Sequence, residues 1–182
     1  MPRCGSKGTG NGYFSLDQTI CQLWPQMTRV WLPRGKKAQL EVMPVKRERV
    51  VAVGVVGVRG ELHYRLWERC TGEEVVRLLE ELRWQYGEYR MVLDQAPWHR
   101  SRRVKQYLAA HPEIELLWLP AYTPELNPVE FVWKLLKGRV VKGRYFASLA
   151  DLKRAIRKFF VYLYNMPSRW RHLLRRFIPC YP

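Results

Sequence analysis

Three acidic residues stand where a folded chain can bring them together. Asp94 follows the apolar run 91–93, Asp17 closes a shorter strand-like stretch, and Glu130 lies in the first turn of a predicted helix. If the two strands are neighbours, their carboxylates project at the same end of a sheet, and a helix across that end brings Glu130 to them. Such oxygen ligands suit Mg²⁺, which binds through a few carboxylates plus substrate phosphate. Two ions about 3.5–4 Å apart can clamp an in-line attack on a phosphodiester.

Each of these residues also has an ordinary explanation when it is taken singly. An aspartate at the end of a strand is usually a turn former, and this applies to Asp94 and to Asp17. His99, five residues after Asp94, is more often a polar loop residue than a catalytic group. Only the joint pattern favours chemistry.

Glu130 has two structural alternatives. Asn127 is a good N-cap and Pro128 suits the first helical position, so Glu130 could complete a capping box three residues after the cap. Glu130 could instead pair with Lys134 or Lys137 on the helix surface.

The elements that must position these residues alternate between strands and helices, which predicts an α/β domain. The β-branched run at 47–58 is too continuous for an exposed strand, so we expect this strand to lie centrally in the sheet. Capping boxes and terminal glycines mark the helix ends. The predicted strands are 13–17, 47–58, 61–67, 89–94 and 114–119. The predicted helices begin after Thr71, run from 101 to 110 and from 128 to about 141, and begin after Ser148.

Length and composition bound the organisation of the chain. Its 182 residues, 47% of them hydrophobic, are enough for one domain with a sizeable core. We predict a flexible, Gly-rich segment at 1–12, a catalytic domain at 13–165 and a basic tail at 166–182. The four cysteines share no short spacing, which argues against a zinc site or a disulfide framework. With no signal peptide and no apolar run of membrane-spanning length, we expect a cytosolic protein with no membrane partner.

The charge indicates a polyanionic partner. Formal net charge is +16, and from residue 131 onward there are 13 Lys and Arg against one acid. A second cluster comprises Arg100, Arg102, Arg103 and Lys105, and a third lies at 34–49. Such a surplus repels itself unless it meets a polyanion, and nucleic acid is the leading candidate.

The joint pattern resembles the DDE transposases, in the branch shared by bacterial insertion sequences and mariner-like elements. That branch has a strand ending in Asp-x-Ala-x-x-His, and this chain has LDQAPWH. It continues with Leu-Pro-x-Tyr-Ser-Pro-x-Leu-Asn-Pro-Ile-Glu and Trp-x-x-Leu-Lys, where this chain has LPAYTPELNPVE and WKLLK. The match is close over residues 91–137, with 35 residues between Asp94 and Glu130. The only departures there are Ala121, Thr123 and Val129.

Upstream, YFSLDQTICQLWP with RVWLPRGKK resembles the first-acid segment of the family. The family commonly has Asp-Glu where this chain has Asp17-Gln18. Together the similar segments cover about residues 13–160. The resemblance implies a ribonuclease H-like fold, a mixed sheet flanked by helices.

The resemblance also implies an activity and a site. Asp17, Asp94 and Glu130 would hold two Mg²⁺ or Mn²⁺ ions for DNA strand cleavage and strand transfer. Water would attack a phosphodiester at the end of the element, and the freed 3′-hydroxyl would attack target DNA. His99 would contact phosphate or support a metal ligand. The residues assigned to DNA binding are His99, Arg100, Arg102, Arg103, Lys134 and Lys137. The implied partners are transposon ends, target DNA and at least one further copy of the chain.

Two other functions are kept as alternatives. One is a ribonuclease H-like nuclease outside transposition, such as a resolvase. The other is an inactive DNA-binding remnant that regulates an intact transposase. The second arises because family members usually carry helix-turn-helix domains before the first acid, whereas this chain starts about a dozen residues ahead of Asp17. A separate helix-turn-helix polypeptide is therefore an expected partner.

Overall fold

A computed structural model of the protein describes residues 12–23, 32–37, 48–121 and 123–166. Within them lie the strands β1 Gly12–Gln22, β2 Arg49–Gly57, β3 Leu62–Trp67, β4 Tyr89–Leu93 and β5 Ile114–Trp118. The α-helices of the same residues are α1 Gly72–Tyr86, α2 Arg102–Ala110, α3 Pro128–Leu136 and α4 Leu149–Tyr164. A 3₁₀ turn at Pro124–Leu126 precedes α3, and a π-helical segment at Lys137–Val141 follows it.

The sheet is mixed, with the strand order β3-β2-β1-β4-β5. β1 and β2 pair antiparallel, as do β2 and β3. β1 pairs parallel with β4, and β4 pairs parallel with β5. The predicted order of elements and the mixed sheet are therefore confirmed, and β1 lies at the centre of the sheet beside β4.

The helices cover both faces of the sheet. One core contains the buried side chains of α3, the π-helical segment and α4, packed on β1, β2 and β3. The other core contains those of α1 and α2, packed on β1, β2, β4 and β5. Because side chains alternate along a strand, each residue of β1 faces one of these two cores.

The predicted caps of α1 and α4 and the glycine end of α1 are confirmed. Thr71 and Glu74 form the reciprocal capping box of α1. Ser101 and Ser148 accept backbone N–H groups at the starts of α2 and α4. Gly87 ends α1 with a φ of 74°, a left-handed conformation that glycine adopts without steric penalty.

Two predicted boundaries are wrong. β1 does not end at Asp17 but runs on to Gln22, because β2 continues to pair with it as far as Arg49. The helix predicted from 128 to about 141 is α-helical only to Leu136, after which it widens into the π-helical segment. A wider turn changes the angle between successive side chains, and both Val140 and Val141 are buried there.

The predicted terminal segments fall mostly outside the described residues. Gly12, assigned to the flexible segment, begins β1, while residues 1–11 lie outside the description. Of the predicted tail only Met166 is described. In the described part of the chain, Cys21 and Cys70 are free thiols. No helix there has the length and apolar character needed to cross a bilayer.

Candidate active site

Asp17 and Asp94 lie at the same height on neighbouring strands. The parallel pairing of β1 with β4 aligns Ser15 with Val92, and Asp17 and Asp94 are each two residues further along. Aligned residues of parallel strands face the same side, and a step of two residues keeps that side. The two carboxylates therefore project from the same face of the sheet, at the level where β4 ends and β1 runs on.

That face is the one covered by α3, because a hydrogen-bonded contact joins α3 to β1. The Ser15 hydroxyl donates to Asn127 Oδ1 at 2.6 Å, and Asn127 Nδ2 donates to the Leu16 carbonyl at 3.3 Å. Asn127 Oδ1 also accepts the Val129 N–H at 3.1 Å, so the N-cap of α3 is fixed on β1. Glu130 follows within the first turn of that helix.

A second contact lies one turn further along α3. The Trp133 indole Nε1–H donates to Asp17 Oδ2 at 3.0 Å, and both side chains are buried. Sequence reasoning placed Trp133 correctly in the core but missed this bond. The available signal was a tryptophan on the buried helix face three residues after Glu130, since a buried indole N–H usually finds an acceptor.

The surroundings of Asp17 disfavour its charge. Burial, and to a lesser extent the negative charges of Glu130 and Asp94, raise its pKa from the usual 3.8 to about 7. The hydrogen bonds from the Gln18 backbone and the Trp133 indole act in the opposite direction. The three acids therefore interact electrostatically, and a cation between them would relieve the repulsion.

The surroundings of Asp94 favour its charge. His99 Nδ1 donates to Asp94 Oδ1 at 2.9 Å, and the Ala96 N–H donates to the same oxygen at 3.2 Å. The hydrogen bond from His99 is the main cause that lowers the Asp94 pKa, against the opposing effect of partial burial. The Asp94 side chain is 45% exposed, so it also keeps contact with solvent.

His99 itself is 1% exposed. Its Nδ1 also lies 3.2 Å from the Asp94 carbonyl oxygen, while its Nε2 is buried and has no partner in the described residues. This position favours a role beside Asp94 over direct contact with phosphate, the other assignment made from the sequence. The turn that contains Trp98 and His99 is also bonded to β1, because Trp98 Nε1 donates to Gln18 Oε1 at 3.2 Å.

Neither structural alternative for Glu130 is formed among the described residues. In a capping box its side chain would accept the Asn127 N–H, but that group donates to the Pro124 carbonyl at 3.0 Å. No ion pair joins Glu130 to Lys134 or Lys137 within residues 123–166. The side chain is partly buried and lies close enough to Asp17 to raise its pKa.

The predicted DNA-binding cations lie on the two elements that flank the acids. Arg100, Arg102 and Arg103 are exposed at or just before the start of α2, six to nine residues after Asp94. Arg100 donates to Gln95 at 3.4 Å, and Arg103 lies 3.6 Å from Glu73 of α1. On α3, Lys134 is exposed and Lys137 is partly buried.

The donor set fits a hard divalent cation, but the site is not preassembled. Within residues 12–23, 32–37, 48–121 and 123–166, no three His, Cys, Asp or Glu side chains are grouped closely enough to hold a metal ion. The chemistry nevertheless fits, since three carboxylates repel one another here and such oxygens are the ligands that Mg²⁺ and Mn²⁺ take. Binding would have to draw the Asp94 and Glu130 side chains towards Asp17.

Comparison with protein families identifies the chain. Residues 13–153 match the family described as DDE superfamily endonuclease, a span that includes Asp17, Asp94 and Glu130. The chain belongs to the DDE superfamily of endonucleases. The match covers most of the chain, and it confirms the resemblance found in the sequence motifs.

Two curated relatives of this DDE domain are bacterial. An "Insertion element IS630 uncharacterized 39 kDa protein" from Shigella sonnei is 23% identical over 150 residues, which cover 80% of the chain and 43% of the relative. An "Uncharacterized protein y4pE/y4sA" from Sinorhizobium fredii is 37% identical over 62 residues, 34% of the chain and 43% of the relative. The matched part of each relative is less than half its length.

Solved structures of the Mos1 mariner transposase share the fold of the DDE domain. The paired-end complex with Mg matches with a TM-score of 0.65 at 18% identity, covering 90% of the chain and 55% of Mos1. The isolated Mos1 catalytic domain matches with a TM-score of 0.54 at 16% identity, covering 90% of the chain and 81% of that domain. The predicted ribonuclease H-like fold is thereby confirmed. At this identity the likeness concerns the fold alone.

Proposed function

We propose that this DDE domain performs metal-dependent DNA strand cleavage and strand transfer for a bacterial insertion sequence. The observation that carries the proposal is the arrangement of Asp17, Asp94 and Glu130. The β1–β4 register sets Asp17 and Asp94 side by side on the face that α3 covers, and the fixed start of α3 sets Glu130 close enough to Asp17 to raise its pKa. The family match and the IS630 relative support the same activity.

Asp17, Asp94 and Glu130 would hold two Mg²⁺ or Mn²⁺ ions. The Mos1 paired-end complexes contain Mn and Mg, which supports this choice of ions. When bound, such a pair stabilises the attacking and leaving oxygens of an in-line displacement at phosphorus. The protein's own contribution is placement, because phosphoryl transfer needs few covalent groups from an enzyme.

The residues around the acids divide this work between them. The buried His99 orients the Asp94 carboxylate by donating a hydrogen bond to Oδ1, and Oδ2 takes no part in that bond. The cations on α2 and α3 would bind backbone phosphates on either side of the acids and so hold the scissile bond over them. These contacts carry little sequence information, so selection of the element's ends would need further groups.

We also propose the partners of the chain. Transposon ends and target DNA are the substrates, which agrees with the net charge of +16. Two or more copies would act together, since an element has two ends, and a separate helix-turn-helix polypeptide would supply end recognition. The proposed location is the bacterial cytoplasm, at the nucleoid.

The decisive test is cleavage of a labelled duplex that carries the inverted repeat flanking the gene, with Mg²⁺ or with EDTA. We expect metal-dependent nicking and joining to a target plasmid by the wild-type protein, and none by Asp94→Asn. Glu88→Gln is the matched control and should cut like wild type, since Glu88 is exposed before β4 at the other end of the strand. Wild-type protein that binds DNA but never cuts it, with a helix-turn-helix partner present, would instead support the regulatory remnant.

A further inference from the structure

We infer that Trp133 is a positioning residue for Asp17, and that Gly54 provides the space which lets the indole reach that carboxylate. The inference rests on the proposed function, because it assigns to Trp133 a part in holding the metal ligand. It concerns a residue whose position in the sequence pattern indicates only core packing.

The first observation is the bond itself. The single donor of the indole, Nε1–H, lies 3.0 Å from Asp17 Oδ2. Trp133 is 1% exposed and Asp17 6%, so water cannot easily replace either partner. The bond therefore fixes one oxygen of the carboxylate and leaves Oδ1 to be offered to a cation.

The second observation is the space beside the bond. Gly54 of β2 is paired with Asp17 in the antiparallel register. A Cβ at Gly54 would lie 2.9 Å from Trp133 Cη2 and 3.0 Å from Val129 Cγ1. Such distances are too short for ordinary contact, and the indole also packs edge-on against Phe160 on another side. Any side chain at residue 54 would therefore displace the indole.

The third observation is that the same helix carries Glu130. Asn127 fixes the first turn of α3 to β1 at Ser15, and Trp133 fixes the second turn at Asp17. Glu130 lies between these two contacts. The backbone of α3 at Glu130 is thus fixed on β1 beside Asp17, whereas Asp94 stands on a separate support.

Residues that donate a hydrogen bond to a metal ligand typically contribute roughly 10- to 100-fold to metal affinity. A tryptophan that only filled the core would contribute to stability and leave metal affinity unchanged. The two roles can therefore be separated by measuring both quantities in the same variants.

The first experiment is a calorimetric titration of the full chain with Mn²⁺ for wild type, Trp133→Phe and Gly54→Ala. Phe keeps an aromatic ring but has no N–H, whereas Ala at residue 54 keeps the tryptophan but displaces its indole. We expect both variants to bind Mn²⁺ roughly 10- to 100-fold more weakly than wild type. Leu163→Ala is the matched control, because Leu163 lies in the same core but in the last turn of α4, and its affinity should stay within a few-fold of wild type.

The second experiment needs no metal. The indole ¹⁵N–¹H signal of Trp133 is identified by its loss in Trp133→Phe. In EDTA, Asp17→Asn should shift that signal and leave the other tryptophan signals in place. This measurement also decides the matter if Trp133→Phe does not fold, since it uses the natural tryptophan.

Three results would overturn the inference. One is a folded Trp133→Phe that binds Mn²⁺ as tightly as wild type. Another is a Leu163→Ala that binds as weakly as Trp133→Phe. The third is an indole signal that does not change in Asp17→Asn. Failure of the proposed function looks different, because then wild type itself neither binds Mn²⁺ nor cuts DNA, while the indole signal still reports the contact with Asp17.

Discussion

Asp17 and Asp94 are neighbours on adjacent strands, yet their surroundings move their pKa values in opposite directions. Asp17 is buried under α3, where desolvation and two nearby negative charges raise its pKa to about 7. Asp94 is nearly half exposed at the end of β4, where the hydrogen bond from His99 lowers its pKa. Burial is the main cause of the raised pKa of Asp17, and the hydrogen bond from His99 is the main cause of the lowered pKa of Asp94.

The difference shows that the protein keeps Asp94 ionised by its own groups but does not do so for Asp17. At neutral pH, full ionisation of Asp17 would depend on a compensating cation. A comparison of variants at these two positions therefore separates the cost of burial from the benefit of hydrogen bonding.

The largest expected effect is on stability, in Asp17→Asn. Because the pKa of Asp17 is raised in the folded state, the contribution of its protonated form to the free energy of unfolding is fully present below the usual pKa of 3.8. That contribution is lost as the pH rises through about 7. Asn cannot ionise but still accepts the Trp133 bond, so the variant should keep that stability at pH 8. The gain is up to about 4 kcal/mol, from the size of the pKa rise.

Urea unfolding between pH 5 and pH 8 in EDTA, at steps of about one pH unit, measures this gain. Asp94→Asn serves as the control, since its pKa is shifted the other way and it should show no gain at pH 8. Identical pH dependence in wild type and Asp17→Asn would show that burial does not penalise the charge of Asp17.

The next effect is on the reaction, in Glu130→Gln. Gln keeps the shape of the side chain but removes a charge on which cation binding relies. We expect cleavage to fall at least ~10²-fold, or about 2.7 kcal/mol of barrier. Thermal stability should stay near normal, because the cap bond at Asn127 goes to the Val129 N–H and not to Glu130.

Glu125→Gln is the matched control for that change, since Glu125 is exposed in the 3₁₀ turn just before α3. It should cut DNA at the wild-type rate. If Glu130→Gln cut DNA at a rate within a few-fold of wild type, Glu130 would have no part in the reaction, and only Asp17 and Asp94 would remain as candidate site residues.

A third effect compares the cations on the two sides of the site. Replacing Arg100, Arg102 and Arg103 by Gln should lower the salt dependence of DNA binding by about 0.9 per charge, and replacing Lys134 and Lys137 should do the same on the other side. Fluorescence anisotropy between about 50 and 200 mM salt gives the slopes. Both changes should leave the fold intact, because most of these side chains are exposed.

Arg59→Gln is the control for charge alone, since Arg59 is exposed in the β2–β3 turn, beyond the opposite end of β1. Its slope should match wild type. A slope that changes with one set only would place the DNA on one side of the acids.

The smallest effect is on stability, in Asp94→Asn. Because the pKa of Asp94 is lowered in the folded state, its ionised carboxylate stabilises the protein above the usual pKa of 3.8. That contribution to the free energy of unfolding is lost as the pH falls through the folded-state pKa. The variant should therefore be slightly less stable than wild type at pH 7, by less than about 1 kcal/mol because the side chain is nearly half exposed. The difference should vanish in acid, and a difference that persists there would point to packing around His99 instead.

Much of the fold follows from local patterns. The capping boxes, the apolar stripe of each helix and the β-branched strands all depend on residues within a few positions of one another. The three acids could be chosen because the motifs around Asp94 and Glu130 are long and similar to a family. The end of β1 could not be placed, because it depends on pairing with β2, which lies across residues 23–48 in the chain.

The sequence by itself determined the element order and the helix starts, since these depend on short-range backbone and side-chain preferences. The three acids were assigned from the family motifs, and their role stays a prediction. Only the tertiary structure decided how the acids are held. The bonds from Asn127 to Ser15 and from Trp133 to Asp17 join residues 112 and 116 positions apart. The space at Gly54 and the burial of His99 likewise exist only after the sheet and helices have packed. Burial and charge proximity set the pKa of Asp17, and both are properties of the packed chain rather than of any local pattern.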